Sequence, residues 1–280
     1  AANVVACIAS LGAHCAMIGL VGNDAAAQEL RSTMRDLYPT FKDCLVSDAS
    51  RHTTVKTRFW GTGYGAKHLL LRVDAESPAI LGKEKEEILS LIRELKPRNN
   101  SEGYDFIAIS DYAKGVIDAD VLNAVIETKI PVIVAPKPVN NSYMHLQGKI
   151  RGLHTLLPNF SEAKAMAKMY GCVSDDVAEI AKALQREFDA RIVITRGKDG
   201  IYALDKDGSV HQDSAKAHEV FDVTGAGDVV LAAYAVASCA NVSLQDAIHV
   251  ANLAGGIKVG KIGVATVSLS ELTQAAEKLV

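Results

Sequence analysis

One short segment of the sequence combines the residue types that phosphoryl transfer requires. It reads Asp222-Val-Thr-Gly-Ala-Gly-Asp228 and runs into Val229–Ala240, an apolar, alanine-rich stretch that predicts a helix. The small residues Gly225, Ala226 and Gly227 would let backbone N–H groups at the helix start approach a bound group closely. Such a helix start favours anions, because its first N–H groups are free and its dipole is positive there.

Asp228 adds a base to this anion site. A carboxylate in the first turn of a helix can accept a proton from a substrate hydroxyl that lies beside a bound phosphate. Phosphoryl transfer needs this combination, because charge on the γ-phosphate must be stabilised while the incoming oxygen loses its proton. The alternative is that Gly-Ala-Gly-Asp only turns the chain and caps the helix. These residues alone leave both interpretations open.

The composition is that of an ordinary globular protein. The 280 residues are 49% hydrophobic and 22% charged, with a formal net charge of −3, and the length suffices for one large domain. No run of Lys and Arg exceeds two residues, which argues against nucleic acid as a partner. Five scattered cysteines without a C-x-x-C pair favour reduced thiols in a cytoplasmic protein. No stretch reaches the about 18 apolar residues of a membrane span.

The elements that must position this motif alternate along most of the chain. Apolar segments that read as strands are separated by amphipathic stretches that read as helices, which is typical of an α/β protein with a parallel sheet covered on both faces. The predicted strands are Phe106–Ser110, Val132–Val134, Thr155–Leu157 and Ile192–Thr195. The predicted helices between them are Ala119–Thr128, Glu162–Tyr170 and Asp176–Phe188.

Residues of about 41–74 do not follow this alternation. Phe41–Ser47, Thr53–Trp60 and His68–Val73 are short, close together and rich in Val, Thr and aromatic residues. The turn Gly61–Gly65 predicts a hairpin between the last two, so we expect a small β-sheet that stands out as a lid. The chain opens directly on a helix-like pattern. We therefore expect one domain, residues 1–280, whose first strand is missing from the sequence.

The motif ending at Asp228 closely resembles the C-terminal signature of ribokinase-like (PfkB) carbohydrate kinases. Further blocks resemble the family in its own order; they are Asn3–Ala13, Gly22-Asn-Asp24, Asn159-Phe-Ser-Glu162, Thr195–Gly200 and Ala251–Gly256. The resemblance implies a doubly wound α/β sandwich with a small β-sheet lid. It also implies ATP and Mg²⁺, Asp228 as catalytic base, and Gly225, Ala226 and Gly227 as the anion hole.

The resemblance assigns roles to other residues as well. It implies that Asn3 binds the sugar, that Asn159 and Glu162 organise Mg²⁺, water and phosphate, and that Asp222 helps to bind a monovalent cation such as K⁺. The implied nucleotide contacts are Lys137, Asn159, Glu162, Thr195, Gly197, Gly200 and Asn252. Asn-x-x-Glu at a strand-to-helix junction is also an ordinary capping box, and both roles can hold together.

A narrower resemblance concerns the substrate. Five segments are similar to bacterial heptose-7-phosphate kinases, which make heptose 1,7-bisphosphate for lipopolysaccharide and occur alone or fused to a nucleotidyltransferase; they are Thr54–Arg58, Arg72-Val-Asp74, Ser110–Gly115, Pro136-Lys137 and Val259–Gly263. A phosphorylated sugar needs basic donors away from the reacting hydroxyl. The basic candidates for binding its phosphate are Lys56, Arg58, Arg72 and Lys114, and the resemblance adds Asp111 to the substrate site.

Three positions depart from the expected pattern. The chain has Ala135 where heptose kinases typically carry Asp, Cys7 where relatives often carry Asn, and Val229 where Thr or Ser is usual. These departures leave two alternatives open. One is a different PfkB kinase, acting on fructose, fructose phosphate, ribose or a nucleoside. The other is a non-catalytic protein that binds sugar phosphates. The hairpin strands further suggest a homodimer that pairs through the lid.

Overall fold

The computed structural model describes residues 1–63, 66–77, 82–100, 102–138, 150–216 and 220–278. Its helices are α1 Ala2–Ser10, α2 Ala25–Leu37, α3 Glu84–Arg93, α4 Ala119–Glu127, α5 Phe160–Met169, α6 Val177–Phe188, α7 Ala226–Cys239, α8 Leu244–Val259 and α9 Leu269–Glu277. Its strands are β1 Cys15–Gly22, β2 Phe41–Asp48, β3 Val55–Gly63, β4 Ala66–Ala75, β5 Ile107–Ser110, β6 Val132–Ala135, β7 Thr155–Leu156, β8 Arg191–Thr195, β9 Ile201–Leu204 and β10 Val210–Asp213. Helices and strands thus alternate as the sequence predicts.

A six-stranded sheet forms the centre of the molecule. The strand order is β10-β9-β8-β7-β6-β5, with β5 to β8 parallel and β9 and β10 antiparallel to their neighbours. Successive side chains of one strand enter opposite layers. Ile192 and Ile194 pack with α3, α4, α5 and α6, whereas Val193 between them packs with α1, α7 and α8. The sheet is therefore covered on both faces, and the predicted α/β sandwich is confirmed.

A second, smaller unit joins β1 and β2 in parallel through α2. Cys15 pairs with Phe41 and Gly22 with Asp48, so the two strands run side by side over their whole length. The carboxylate of Asp24 accepts a hydrogen bond from the Ala27 N–H (2.9 Å) and so caps α2. We expected Phe41–Ser47 to belong to the lid. The structure instead places it in this β-α-β unit, because its apolar residues Leu45 and Val46 are buried there.

The remaining two strands, β3 and β4, form an antiparallel hairpin with a bulge between Phe59 and Trp60. Its two faces differ. One carries charged pairs, since Lys56 lies opposite Asp74 and Arg58 opposite Arg72; on the other, Phe59 lies opposite Leu71 and both are about half exposed. β3 extends through Gly63 and β4 begins at Ala66, so three residues of the predicted turn belong to β3 and the other two, 64–65, lie outside the described residues.

Among the described residues, no helix combines the length and the apolar character that crossing a bilayer would require.

Candidate active site

Four parallel strands end at the same edge of the sheet, and the segments that follow them carry one group of the predicted site residues, namely Asp111, Lys114, Lys137, Asn159, Glu162, Gly197 and Gly200. After β5 comes the loop 111–115, after β6 the segment 136–138, after β7 the capped start of α5, and after β8 the turn 196–200. The carboxyl edge of such a sheet is where α/β proteins bind their ligands. The predicted residues are therefore brought to one side of the molecule.

Asp228 lies in the first turn of α7, at this edge. Its two carboxylate oxygens each accept one hydrogen bond from a side chain that is distant in sequence. Asn3 donates from Nδ2 to Oδ2 (2.8 Å), and the Tyr112 hydroxyl donates to Oδ1 (2.9 Å). The carboxylate is thereby oriented by α1 and by the loop after β5, while each oxygen keeps a lone pair that can accept a further proton.

The turn before α7 is made possible by glycine. Gly225 is the N-cap residue and has φ of 79°, in the left-handed region that other residues rarely adopt. A Cβ atom at this position would lie 3.1 Å from Nδ2, the side-chain amide nitrogen of Asn3. A Cβ atom at Gly227 would meet nothing within 4 Å, so the first turn is open on that side. An anion can therefore approach the backbone N–H groups there.

The pKa values of two neighbours reflect this carboxylate. Burial, followed by the charge of Asp228, raises the pKa of the Tyr112 hydroxyl, so Tyr112 remains a hydrogen-bond donor at neutral pH. Burial and then Asp228 also raise the pKa of the Cys7 thiol to about 12, against a smaller opposite effect of Lys258. Cys7 is therefore a neutral thiol that packs beside Asp228.

Asp222 fixes the other end of the same turn. Its carboxylate accepts hydrogen bonds from the backbone N–H groups of Thr224 (2.9 Å) and Gly263 (2.9 Å). Burial raises the pKa of Asp222, but these two hydrogen bonds and the charge of Lys258 outweigh it, so the pKa is lowered. The Asp222 carbonyl accepts a hydrogen bond from the Lys258 ammonium group (3.0 Å). A lysine, which the sequence pattern did not single out, thus contacts the predicted cation residue.

On the β7–β8 side, Glu162 and Asn159 form a reciprocal capping box at the start of α5. Asn159 Oδ1 accepts from the Glu162 N–H (2.9 Å), and Glu162 Oε2 accepts from the Asn159 N–H (3.0 Å). The other oxygen of Glu162 accepts from the Lys137 ammonium group (2.8 Å). Thr195 forms a parallel bridge with Asn159. These four predicted nucleotide contacts therefore lie together.

A cleft of about 700 Å³ opens beside them, lined by Asn159, Thr195, Arg196 and Gly197 among others. This volume suits a small-molecule ligand of nucleotide size. Gly200 closes the turn on the inner side. It has φ of 75°, and a Cβ atom there would lie 2.0 Å from the Asp213 carbonyl oxygen. Any residue with a Cβ atom would clash with this carbonyl, so only glycine fits at this position.

The donor set suits Mg²⁺ only in its hydrated form. Within the described ranges, no three His, Cys, Asp or Glu side chains come together in a way that could hold a metal ion. Glu162 is a single carboxylate whose oxygens already accept hydrogen bonds from Lys137 and Asn159. Mg²⁺ commonly keeps several waters and binds proteins through one or two carboxylates, so a water-mediated contact fits these residues.

Asn252 does not face this cleft through its amide group. Its Nδ2 donates to the Ser214 carbonyl (2.6 Å) and to the carboxylate of Asp213, and the side chain is buried. Asn252 therefore ties α8 to the end of β10. Its predicted contact with a nucleotide stays a prediction.

The hairpin of β3 and β4 contributes a cluster of charged side chains on the other side of the candidate site from the nucleotide cleft. Glu76, just after β4, accepts hydrogen bonds from both Lys56 on β3 and Lys114 in the loop after β5. Lys56 also pairs with Asp74 (2.9 Å), which in turn pairs with Arg72 (2.8 Å). The two lysines lower the pKa of Glu76 despite its partial burial. The Glu76 carboxylate thus links the hairpin strand β3 to the loop after β5.

The structure brings together most of the predicted residues, in three groups. In the first group Asp228 is hydrogen-bonded to Asn3, and in the second Lys137 is hydrogen-bonded to Glu162. In the third group Lys56 and Lys114 share the carboxylate of Glu76. Arg58 has no ionic partner among the described residues, and Asp111 accepts a hydrogen bond from the Ala113 N–H (2.8 Å) in its own loop.

Sequence reasoning missed three residues that complete these groups, namely Tyr112, Glu76 and Lys258. Tyr112 lies inside a motif that the sequence analysis quoted. Glu76 continues the alternation of Arg72 and Asp74, which could have signalled that all three share one face. Nothing in the helical pattern around Lys258 signals that its side chain is buried.

Comparison with known proteins identifies the relatives of this chain. The sequence profile described as "pfkB family carbohydrate kinase" matches residues 1–271. The bifunctional protein HldE of Hyphomonas neptunium is 38% identical over 285 residues, which cover 98% of this chain and 54% of that protein. The D-beta-D-heptose 7-phosphate kinase of Bordetella bronchiseptica is 34% identical over 278 residues, which cover 97% of this chain and 82% of that protein. The chain thus spans about half the length of its bifunctional relatives.

Solved structures share the fold at low sequence identity. Phosphofructokinase-2 of Escherichia coli, in complex with potassium, superposes with a TM-score of 0.78 at 18% identity, covering 99% of this chain and 86% of that one. Ribokinase of Thermotoga maritima superposes with a TM-score of 0.75 at 20% identity and the same coverage.

Proposed function

Because the chain belongs to the pfkB family of carbohydrate kinases, we propose that it transfers the γ-phosphoryl group of ATP to heptose 7-phosphate. The products would be heptose 1,7-bisphosphate and ADP, a step toward ADP-heptose and the lipopolysaccharide core. The observation that carries the proposal is the position of Asp228. Its carboxylate lies at an open, glycine-lined helix start and is oriented by two hydrogen bonds.

In this mechanism Asp228 removes the proton from the anomeric hydroxyl of the sugar. The freed oxygen attacks the γ-phosphorus, its new bond to phosphorus replaces the bond to the β-phosphate oxygen, and ADP leaves. Backbone N–H groups of Gly225, Gly227 and Asp228 would donate to the transferring phosphoryl group as its charge shifts. The N–H of Ala226, which the sequence placed in the same anion hole, instead donates to the Val223 carbonyl (3.2 Å).

The nucleotide is assigned to the cleft beside α5. Lys137 would contact phosphate oxygens as a point charge, while Thr195, Gly197 and Gly200 shape the turn that borders the cleft. Bound Mg²⁺ would supply charge neutralisation between the phosphates, with Glu162 holding it through water. Asn252 would support the nucleotide site indirectly, because its hydrogen bond to the Ser214 carbonyl positions the end of β10.

The sugar phosphate is assigned to the space between the hairpin and the sheet. Lys56, Arg58 and Lys114 would bind its 7-phosphate, and Asn3 and Asp111 would contact sugar hydroxyls. Glu76 already neutralises two of these cations, so binding a phosphate requires that it share or release them. Closure of the hairpin over the sugar would exclude water, which otherwise competes as the phosphoryl acceptor.

A coupled assay of ADP release tests the proposal. The substrate panel contains heptose 7-phosphate, fructose 6-phosphate, fructose, ribose and adenosine, each with ATP and Mg²⁺. We expect the highest kcat/KM with heptose 7-phosphate. A higher value with another sugar or with adenosine would assign the chain to a different substrate in the same family. Absence of turnover with the whole panel would favour a protein that only binds sugar phosphates.

The proposal also covers location and assembly. We place the protein in the cytoplasm, where ATP and sugar phosphates are available, and assign the outer face of the hairpin to a second copy of the chain. The residues of this face are Val55, Phe59, Leu71 and Val73, all at least 39% exposed. Such an apolar face is unusual for a monomer. Sedimentation should show a dimer that Phe59→Ser dissociates; a monomeric parent would contradict this assignment.

A further inference from the structure

Lys258 is a lysine in an unusual position. It lies in the last turn of α8, and its side chain is fully buried, with 0% of its surface exposed. Lysines are almost never fully buried unless their charge is compensated, because removing an ammonium group from water is costly. The negative end of the α8 dipole offers part of this compensation. The remainder must come from the groups that the ammonium contacts.

Those groups are backbone carbonyls of two loops that frame the candidate active site. The ammonium donates to the Asp222 carbonyl (3.0 Å) and to the Lys261 carbonyl (3.4 Å). The Asp222 carboxylate joins the same two loops, since it accepts from the N–H groups of Thr224 and Gly263. A positive charge surrounded by carbonyl oxygens and next to a carboxylate is the arrangement that also suits a bound monovalent cation.

A separate K⁺ ion does not fit this arrangement. The ammonium group already lies against the carbonyl oxygens that would coordinate a cation, those of Asp222 and Lys261. A second positive charge would lie close to the ammonium group and repel it. The sequence-based expectation that Asp222 binds a monovalent cation is therefore not supported by the residues around it.

The location gives the charge a role in catalysis. Asp222 begins the turn that leads through Gly225 to Asp228, so the ammonium group holds the start of the segment that forms the proposed anion hole. A fixed positive charge there holds the turn in place and favours negative charge on its open side. Burial lowers the pKa of Lys258, Asp222 opposes this effect, and Lys261 adds to it.

We propose that the ammonium group of Lys258 is a built-in cation that takes the place of bound K⁺, so that phosphoryl transfer requires no added monovalent cation. This inference rests on the proposed kinase function. Lys258 acts through the turn 222–225 and is therefore a positioning residue.

Cation replacement tests the proposal through activity. The kinase rate is measured at constant ionic strength in KCl, NaCl and tetramethylammonium chloride, the last being too large to enter the site. The parent protein should show the same rate in all three salts. Lys258→Ala should lose at least about tenfold in kcat, but less than the about 10²–10³-fold that loss of a direct oxyanion-hole donor costs, because Lys258 acts through the turn; K⁺ or NH₄⁺ should restore much of it.

Two further variants separate charge from packing. Lys258→Met keeps an apolar side chain in the space but has no charge, so it should be slow and should not be rescued by any salt. Lys182→Met changes an exposed lysine on α6 and should behave like the parent. Strong activation of the parent by K⁺, or full activity of Lys258→Ala in tetramethylammonium chloride, would overturn the proposal.

Thermal unfolding supplies a readout that does not depend on turnover. The melting temperature of Lys258→Ala should be higher in KCl than in tetramethylammonium chloride, whereas that of the parent should not respond to the exchange. If no sugar on the panel is phosphorylated, the proposed function fails but this comparison still applies. Equal melting temperatures of Lys258→Ala in both salts would show that the cavity binds no cation.

Discussion

The base end and the hairpin end of the candidate site hold their charges in different ways. At the base end, Asp228 faces two neutral donors, Asn3 and Tyr112, at the start of a buried helix. At the hairpin end, Lys56 and Lys114 share the carboxylate of Glu76 on a partly exposed surface. Hydrogen bonds from neutral donors depend little on ionic strength, whereas ion pairs on a partly exposed surface are screened by salt. Substitutions should therefore affect the rate at one end and sugar affinity at the other.

The largest expected effect is that of Asp228→Asn. Asparagine keeps the shape of the side chain but cannot take the proton from the sugar hydroxyl. We expect kcat to fall by about 10²–10⁴-fold, the usual contribution of a general base, while the KM values for ATP and sugar phosphate change little. Coupled ADP release measures both quantities. Turnover equal to that of the parent would remove the base end from the mechanism.

The next effect is that of Gly225→Ala. Alanine pays about 1–2 kcal/mol to hold the left-handed φ of 79°, and its Cβ atom would lie 3.1 Å from the Asn3 amide nitrogen. We expect both a lower melting temperature and a kcat at least about tenfold lower, because the anion hole and Asn3 shift together.

Gly171→Ala is the matched control for this glycine. Gly171 has φ of 84° and nothing within 4 Å of its Cβ position, and it lies after α5 rather than in the turn before α7. The control should lose stability but keep its kcat. Equal losses of kcat in the two variants would show that the effect at Gly225 is one of general stability.

Lys114→Met tests the hairpin end. Loss of one charge-assisted hydrogen bond to the sugar phosphate should raise its KM by about tenfold without changing kcat. The difference from the parent should shrink as NaCl is added, since the lost interaction lies on a partly exposed surface. Steady-state kinetics at two salt concentrations measures this. A fall in kcat with unchanged KM would mean that the two ends are not separate in function.

The smallest effect is expected for Asp222→Asn, and it depends on pH. The pKa of Asp222 is lowered in the folded protein, so its contribution to stability is present above the ordinary aspartate pKa of about 4 and is lost as pH falls through the folded value. The variant should melt about 2 °C below the parent at pH 7. The difference should disappear in acid. Calorimetry from pH 7 down to about pH 3 checks this, and a difference that grows in acid would have the wrong sign.

Local sequence patterns were sufficient for the fold and for part of the site. The alternation of apolar segments predicts β5 to β8 and their covering helices, because each pattern reflects the burial of its own residues. The capping box of Asn159 and Glu162 is likewise local, since the two residues are three positions apart. Features of this kind are encoded within a few residues.

Contacts between distant segments could not be predicted in this way. Asn3 and Asp228 are 225 positions apart, and only the packing of α1 on α7 brings them together. Whether β2 pairs with β1 or with the hairpin depends on where helix α2 returns the chain, and the residues of β2 do not encode this. Lys258 has the polarity of a surface residue, and its burial follows from the two loops that surround its ammonium group.

The loop 111–115 connects the base end with the hairpin end. Tyr112 reaches Asp228, and two positions later Lys114 reaches Glu76, with Ala113 between them at φ of 53°. The side chain proposed to bind the sugar phosphate and the one that orients the proposed base thus belong to the same tripeptide. Replacing the Lys114 side chain alone changes one of these contacts, whereas a backbone shift or an insertion in this loop would move both. In a lineage that adopts a new acceptor by remodelling this loop, substrate preference and turnover should therefore change together.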